Sequence, residues 1–404
     1  MSFQPPHLIN NILDALNNNM RVGGIFCDLT KAFDCVDHTV LLSKLEFYGI
    51  TGRANNLIKS YLSDRYQRVL IKNNCSNKYF SEWGKIKQGV PQGSILGPLF
   101  FLLYINDLPG LINDISSPTV FADDTSIIFT NSNYPDLKHE IDAVIEKIIK
   151  WFETNSLILN LDKTYFMHFV TKPNLAVDLQ ISYKADIISA TNTTNFLGLS
   201  LDSSLSWKLH IEHLSSKLNS ACYLIRSLRS VISRQNLRTI YFSYVHSIMV
   251  YGIIFWGSSP LSDIIFKLQK RTIRIMMNVN NRQSCRDLFK KLSILPLHSQ
   301  YILSLSLFVV KNIDKFKSNS EIHSINTRHR FDLFPPAAKL SKYQKGAYYS
   351  GIQIFNQLPQ SIKCLSGNVK KFKTALKEFL LLGSFYTLNE YSDWNSRSDL
   401  GYLA

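Results

Sequence analysis

Aspartates stand at the ends of two apolar, strand-like segments, and their placement constrains the fold more than any other feature of this chain. Residues 22–28 (VGGIFCD) have the pattern of a short buried strand that ends on Asp28. Residues 119–130 (TVFADDTSIIFT) form two apolar runs around Asp123, Asp124 and Thr125, which predicts a β-hairpin. If these strands are neighbours in one sheet, Asp28 and Asp123 project from the same edge.

Carboxylates at one sheet edge favour a metal site. Two carboxylates about 4 Å apart repel each other by roughly 4 kcal/mol at an effective dielectric constant near 20. Bound Mg²⁺ makes the net interaction at such a site attractive. Two such ions can activate an attacking hydroxyl and stabilise a leaving pyrophosphate. Because adjacent strand residues face opposite ways, Asp28 and Asp123 are the predicted principal ligands and Asp124 a secondary one. Taken alone, an Asp-Asp pair is more typical of an ordinary turn.

A glycine- and proline-containing loop at residues 88–94 (QGVPQGS) lies between the two acidic segments. Glycine allows the backbone to approach a flat ligand closely, and proline fixes the local path of the chain. The alternative is a tight turn in which Ser94 caps the helix that follows. The loop by itself does not decide between a ligand site and a turn.

Hydrophobic spacing predicts an α+β layer, with helices on one face of an antiparallel sheet, followed by a helical domain. Strands are expected at 65–72, 78–86, 164–170 and 195–201, besides those already named. Helices are expected at 39–48, 53–62 and 94–107, and near 207–230, 235–250, 261–277 and 284–292. A further amphipathic helix is expected from an apolar stripe formed by Ile141, Val144, Ile145, Ile148, Ile149 and Phe152.

Charge is divided unevenly along the 404 residues, which carry a net +15. Residues 1–170 hold 15 Lys and Arg against 17 Asp and Glu, whereas residues 171–404 hold 30 against 13. A basic field of this kind concentrates polyanions, so nucleic acid is the expected partner, although a solvated basic surface is the alternative.

Composition excludes several classes of protein. Hydrophobic residues make up 45% and charged residues 19% of the chain, which is typical of a globular protein rather than a disordered one. The six cysteines are scattered without a zinc-binding pattern, and reduced intracellular thiols are expected. The most apolar run, residues 95–105, is too short to span a bilayer and predicts a buried helix, so no membrane partner is expected.

The motifs, taken in order, resemble those of a Jockey-like non-LTR retrotransposon reverse transcriptase. The set comprises DLTKAFD (28–34), QGVPQGS (88–94), FADD (121–124), NLDKT (160–164) and FLGL (196–199). Further matching stretches are SYLSDR (60–65), LFFLLYINDLP (99–109), LQKRTIRIM (268–276) and FNQLPQSIK (355–363). The resemblance covers nearly the whole chain.

This resemblance implies a right-hand polymerase palm, followed by an α-helical thumb and a helical C-terminal region. The implied domains are a residual fingers segment at 1–22, a palm with a partial fingers insert at 23–205, a thumb at 206–280, and a region of unknown role at 281–404. Residues 196–201 resemble the primer-grip strand. The implied activity is RNA-directed DNA synthesis, with an RNA template, a DNA primer and dNTPs as partners.

The resemblance also implies roles for individual residues. Asp28, Asp123 and Asp124 form the metal triad for two Mg²⁺ ions, with Mn²⁺ as a possible substitute, and Lys163 protonates the leaving pyrophosphate. The remaining positions contact the nucleotide and template: Phe33 as a steric gate against ribonucleotides, with Gln92 and Gly93 along the incoming nucleotide. Without the resemblance, Phe33 is equally well explained as a core residue, and Lys163 would be taken for a surface lysine.

A basic stripe is predicted on the helix at 261–277. Its members, Lys267, Lys270, Arg271 and Arg274, fall at i, i+3, i+4 and i+7 on one face. Such a helix can pack on a core while it follows nucleic-acid phosphates, and a solvated basic face is the equally weighted alternative.

The chain also departs from the pattern of this family. About 22 residues precede the first aspartate strand, which predicts a 5′-truncated element without an endonuclease and without most of the fingers. Two other functions remain open at this stage: a catalytically inert nucleic-acid-binding remnant, and an intron-maturase-like splicing cofactor. The expected location is intracellular, and nuclear if the element is active; the oligomeric state stays open.

Overall fold

The computed structural model describes residues 5–73, 77–171, 181–183, 186–323 and 330–398. The strands are β1 (Arg21–Cys27), β2 (Tyr66–Gln67), β3 (Leu70–Lys72), β4 (Lys78–Phe80), β5 (Gly84–Lys85), β6 (Ser117–Phe121), β7 (Asp124–Asn131), β8 (Tyr165–Phe169), β9 (Ile181–Tyr183), β10 (Asp186–Ala190), β11 (Thr193–Phe196) and β12 (Leu199–Asp202).

Helices make up most of the remaining described chain. They are α1 (Pro5–Asn17), α2 (His38–Phe47), α3 (Gly52–Leu62), α4 (Leu96–Ile105), α5 (Leu108–Ile112), α6 (Tyr134–Thr154), α7 (Lys208–Leu228), α8 (Arg234–Ile240), α9 (Ser247–Val250), α10 (Ile253–Trp256), α11 (Ser262–Met277), α12 (Arg286–Leu292), α13 (Leu297–Lys311), α14 (Asn319–Ile322), α15 (Ser341–Gln344), α16 (Ala347–Asn356), α17 (Gln360–Lys363), α18 (Val369–Gly383) and α19 (Leu388–Ser398).

The chain divides into two compact units. One contains Asn19–Leu197, and the other contains Pro5–Asn18 together with the chain from Gly198 onward. The first unit therefore holds strands β1 to β11 and helices α2 to α6. The second holds β12 and the other helices, with α1 as a member that is distant in sequence.

A sheet of six strands forms the centre of the first unit, in the order β6-β7-β1-β8-β10-β9. Neighbouring strands are antiparallel except β8 and β10, which are parallel. The central strands β1 and β7 are buried along almost their whole length, because both consist largely of apolar or small residues. Helix α6 packs against β1, β7 and β9. The α+β prediction is confirmed.

Most predicted elements of this unit are confirmed. The hairpin at residues 119–130 is β6 and β7, and the apolar stripe of α6 is buried as expected. The strand predicted at 65–72 is broken into β2 and β3, and its partner at 78–86 into β4 and β5.

Two predictions needed correction. The strand predicted at 195–201 is interrupted at Leu197 and Gly198, because both residues have positive φ angles, 47° and 76°. Residues 96–105 form the expected helix α4, but it is buried on one side only: Phe101 is fully buried, whereas Leu99 is 48% exposed. A helix that is apolar all round exposes whichever face lacks a packing partner.

Asn17 anchors α1 within the second unit. Its Oδ1 accepts hydrogen bonds from the backbone N–H groups of Lys339 (2.8 Å) and Leu340 (3.0 Å), and its Nδ2 donates to the carbonyl of Ala337 (3.1 Å). The apolar side of α1 is buried in the same unit, where α1 contacts α15 and α16. Within this unit α7 packs against α11, and α13 packs against α16 and α18.

Among the described residues, no single helix has the length and apolar composition needed to cross a membrane. The pair α12 and α13, bent by 53°, meets both criteria only when its two helices are taken together.

Candidate active site

The end of β1 and the tip of the β6–β7 hairpin lie at one edge of the sheet. Cys27 pairs with Thr125, so Asp28 follows β1 beside the first residues of β7. Asp124 opens β7, and Asp123 lies in the tight turn between β6 and β7. Ala122 adopts the left-handed conformation (φ 54°) that such a turn requires. The fold therefore carries Asp28, Asp123 and Asp124 to the same edge.

The three carboxylates influence one another electrostatically. Partial burial raises the pKa of Asp124 above its ordinary value, and the negative charges of Asp123 and Asp28 raise it further. Repulsion between ionised carboxylates favours protonation of one of them. This edge consequently concentrates negative charge that a cation would relieve.

Backbone pairing carries Lys163 to this edge. The N–H of Asn160 donates to the carbonyl of Asp28 (2.9 Å), and the N–H of Thr30 donates to the carbonyl of Ile158 (2.8 Å). A 3₁₀ turn follows, and Nζ of its last residue, Lys163, lies 3.8 Å from Oδ2 of Asp28. Both side chains are substantially exposed, so this ion pair contributes little stability. The ion pair does, however, keep the ammonium group of Lys163 beside the carboxylate of Asp28.

Phe33 lies close to the loop at 88–94. Its ring packs against that of Phe101, with 4.6 Å between the ring centroids, and it stays partly exposed. The N–H of Val90 donates to the Phe33 carbonyl (2.9 Å), so the loop is docked directly on this segment. A partly exposed ring held in this way can act as a wall of a binding site as well as part of the core.

The conformation of the loop depends on two glycines. Gly89 has φ +88°, and a Cβ at this position would lie 2.8 Å from the carbonyl oxygen of Asp34. Gly93 has φ +82°, and a Cβ there would meet nothing within 4 Å. Gly89 is therefore needed for packing, whereas Gly93 faces open space.

Ser94 stabilises the end of this loop. Its Oγ donates to the Pro91 carbonyl (2.7 Å) and accepts from the N–H of Gly97 (2.9 Å). The capping contact weighed from the sequence is thus present, and it coexists with the open surface at Gly93.

Asp34 has a role that the sequence pattern did not reveal. Its Oδ1 accepts a hydrogen bond from Nε2 of Gln92 (2.9 Å), so it orients the side chain predicted to meet the nucleotide. Asp37, in contrast, caps α2, because its Oδ1 accepts hydrogen bonds from the N–H groups of Thr39 and Val40. The only sequence signal for Asp34 was its place at the end of the first acidic motif.

The basic stripe of α11 lies in the second unit, and its members differ in their surroundings. Lys267 and Arg271 are exposed. Nζ of Lys270 lies 4.4 Å from the Phe266 ring centroid, and Nε of Arg274 donates to the Gln283 carbonyl (2.9 Å). Two of the four cations thus contribute to packing, and the nucleic-acid role of the stripe stays a prediction.

The family described as "Reverse transcriptase (RNA-dependent DNA polymerase)" matches this chain over residues 1–201. Residues 1–201 belong to the reverse transcriptase family. The match includes the three aspartates, Lys163 and the loop at 88–94, so the sheet described above is the palm of this reverse transcriptase domain.

Relatives of this chain are encoded by non-LTR elements. The chain is 27% identical over 288 residues to a probable RNA-directed DNA polymerase from transposon BS of Drosophila melanogaster, covering 67% of this chain and 30% of that protein. It is 24% identical over 299 residues to the RNA-directed DNA polymerase from mobile element jockey of the same species, covering 71% and 32%. The Jockey-like resemblance is confirmed, and the matches span about a third of these relatives' length.

Among solved structures, an apo telomerase from Candida tropicalis aligns with a TM-score of 0.37 and 14% identity, covering 97% of this chain and 55% of that one.

Reverse transcriptases generally use divalent metal ions, and the donor chemistry of this palm suits such an ion. Three carboxylates supply hard oxygen ligands, and partial burial together with the charges of Asp123 and Asp28 raises the pKa of Asp124. Within the described residues, no three His, Cys, Asp or Glu side chains already stand close enough to hold a metal.

Proposed function

We propose that this chain is an RNA-directed DNA polymerase of a Jockey-like non-LTR retrotransposon. It would extend a DNA 3′-hydroxyl along an RNA template with dNTPs, inside the cell and, during retrotransposition, in the nucleus. The observation that carries the proposal is the meeting of Asp28, Asp123, Asp124 and Lys163 at one edge of the palm sheet.

The aspartates are proposed to hold two Mg²⁺ ions, which Mn²⁺ could replace. Bound there, the ions would lower the pKa of the primer hydroxyl and neutralise the phosphates. The 3′-oxygen forms a bond to the α-phosphorus of the dNTP as the bond from that phosphorus to the bridging oxygen breaks, and pyrophosphate leaves. Lys163, whose Nζ lies 3.8 Å from Oδ2 of Asp28, would donate a proton to the leaving pyrophosphate.

The loop and Phe33 are proposed to select the nucleotide. A phenyl ring beside the sugar would clash with a ribose 2′-hydroxyl and so exclude ribonucleotides. Gln92, oriented by Asp34, and the open backbone at Gly93 would then lie along the nucleotide and the template base. Replacing Phe33 by a smaller residue should therefore admit ribonucleotides.

Primer extension by the full 404-residue chain tests the proposal. A DNA primer annealed to RNA should be extended with dNTPs and Mg²⁺, and Asp123→Asn should abolish extension. Asp114→Asn is the matched control, because Asp114 is an exposed aspartate of the same unit outside the site. Salt-sensitive RNA binding without extension, unchanged by Asp123→Asn, would instead identify an inert nucleic-acid-binding remnant.

A further inference from the structure

A narrow antiparallel ribbon, formed by β2 to β5, connects α3 to the loop at 88–94. We call residues 65–73 and 77–87 the exposed ribbon. Leu70 pairs with Phe80 and Lys72 with Lys78, while β2 pairs with β5 at the base. The N–H of Ile86 donates to the carbonyl of Arg65 (2.8 Å) and closes the base, two residues before Gln88.

Aromatic side chains of the exposed ribbon lie in solvent. Tyr66, Tyr79, Phe80 and Trp83 are 56%, 59%, 49% and 60% exposed. Single exposed apolar residues are normal on a protein surface, but several on one short element mark an interaction site.

Positive charge is concentrated on the same element. Six of the 15 Lys and Arg in residues 1–170 fall within 65–87, against one acidic residue there, Glu82. One of the six, Lys85, pairs with Asp64 just outside the ribbon (2.7 Å). The rest of this half of the chain is acidic overall, so the ribbon is its basic exception.

Cations and rings share one face of the ribbon. Opposite residues of an antiparallel pair project to the same side, which places Lys72 and Lys78 beside Phe80. Cζ of Arg68 lies 4.0 Å from the Phe80 ring centroid and 4.6 Å from that of Trp83. We call these five residues the basic–aromatic face.

We propose that the basic–aromatic face binds single-stranded nucleic acid. Exposed rings offer stacking surfaces to unpaired bases, and interleaved cations pair with the phosphates between them. An apolar protein partner would not explain the positive charge of this face. A double-stranded nucleic acid would not explain the exposed rings, because the faces of its bases are stacked inside the duplex. Since the ribbon leads directly into the loop at 88–94, we assign the strand as the unpaired template; only this assignment rests on the proposed function.

Fluorescence anisotropy with the full chain tests the binding, using a labelled single-stranded RNA of about 15 nucleotides in EDTA without dNTPs. Phe80→Ala combined with Trp83→Ala should weaken binding about 10- to 100-fold. Lys72→Glu combined with Lys78→Glu should weaken binding and flatten its dependence on salt. Phe47→Ala is the matched control, because Phe47 is 87% exposed on α2 of the same unit and should leave affinity unchanged.

The outcomes separate this inference from the proposed function. If the ring variant binds RNA as tightly as the wild type, the inference is wrong, and the ribbon would then be a surface for a protein partner. If the wild type binds RNA through these rings but does not extend a primer, single-strand binding by the ribbon stands, whereas the polymerase proposal and the template assignment that rests on it both fail. Thermal melting of each variant verifies that the substitutions leave the fold intact.

Discussion

Asp124 stands out at the residue scale, because burial and two neighbouring carboxylates raise its pKa. In the folded state its ionised form is disfavoured relative to the unfolded chain, so its contribution to stability falls as pH rises from the ordinary value of 3.8 through the raised value. Asp124→Asn removes this penalty. We expect a higher Tm for the variant than for the wild type at pH 7 in EDTA, together with loss of primer extension.

Thermal melts across pH test this expectation. The difference in Tm should shrink as the pH falls through the raised pKa of Asp124 and vanish well below 3.8, where Asp124 is protonated in both states. A variant that melts below the wild type at pH 7 would show that the negative charges at this edge do not oppose folding.

Lys163 gives a second prediction at the scale of one side chain. Its ammonium group lies 3.8 Å from Asp28, so it could act as a proton donor or only as a positive charge. If it donates a proton, Lys163→Ala should slow extension about 100-fold. Lys163→Arg should be nearly as slow, since a guanidinium stays protonated in proteins and cannot donate its proton.

Single-turnover extension rates distinguish the two roles. Recovery of the wild-type rate by Lys163→Arg would assign a purely electrostatic role. Binding of RNA should be unaffected by either change, which serves as the internal control.

Two glycines of one loop lead to opposite predictions at the element scale. Gly89→Ala combines a left-handed φ with a contact of 2.8 Å to the backbone of Asp34, so it should lower the free energy of unfolding by more than about 1 kcal/mol. Gly93→Ala introduces backbone strain from the left-handed φ but no steric contact, so it should lower the free energy of unfolding by about 1 kcal/mol. Because Gly93 faces the proposed nucleotide site, its variant should lose more extension activity than stability.

Denaturant titrations and extension assays on the two variants test this pair. Equal losses of stability would show that the loop moves away from Asp34 at little cost. A fully active Gly93→Ala protein would remove this glycine from the nucleotide site.

Elements with a local signal were the ones that sequence could predict. Strand β1, the β6–β7 hairpin and the stripe of α6 follow from apolar spacing within a few residues, and the edge carrying Asp28 and Asp123 follows from them. The bond between Asp34 and Gln92 joins residues 58 apart. This hydrogen bond depends on how the loop at 88–94 packs against residues 33–36, and the hydrophobic periodicity of the sequence does not predict such packing. The break at Leu197 and Gly198 was hidden because their neighbours favour a strand.

Charge distribution yields a prediction at the scale of the whole molecule. Residues 171–404 hold 30 Lys and Arg against 13 Asp and Glu, so phosphate contacts should dominate nucleic-acid affinity. Raising the salt from about 50 to 200 mM should weaken RNA binding by about 10³-fold if six or more phosphates are contacted. Anisotropy titrations over this range measure the slope, and an affinity independent of salt would contradict a phosphate-based mode of binding.

The three hydrogen bonds of Asn17 also bear on the order in which parts of the chain can fold during synthesis. Their partners lie more than 300 residues further along, beyond the entire unit Asn19–Leu197. At about 5–20 residues per second, a ribosome needs roughly half a minute to reach them. Until then the apolar side of α1 has no site to occupy, so a nascent chain that stalls early presents it to chaperones while the palm is already able to form.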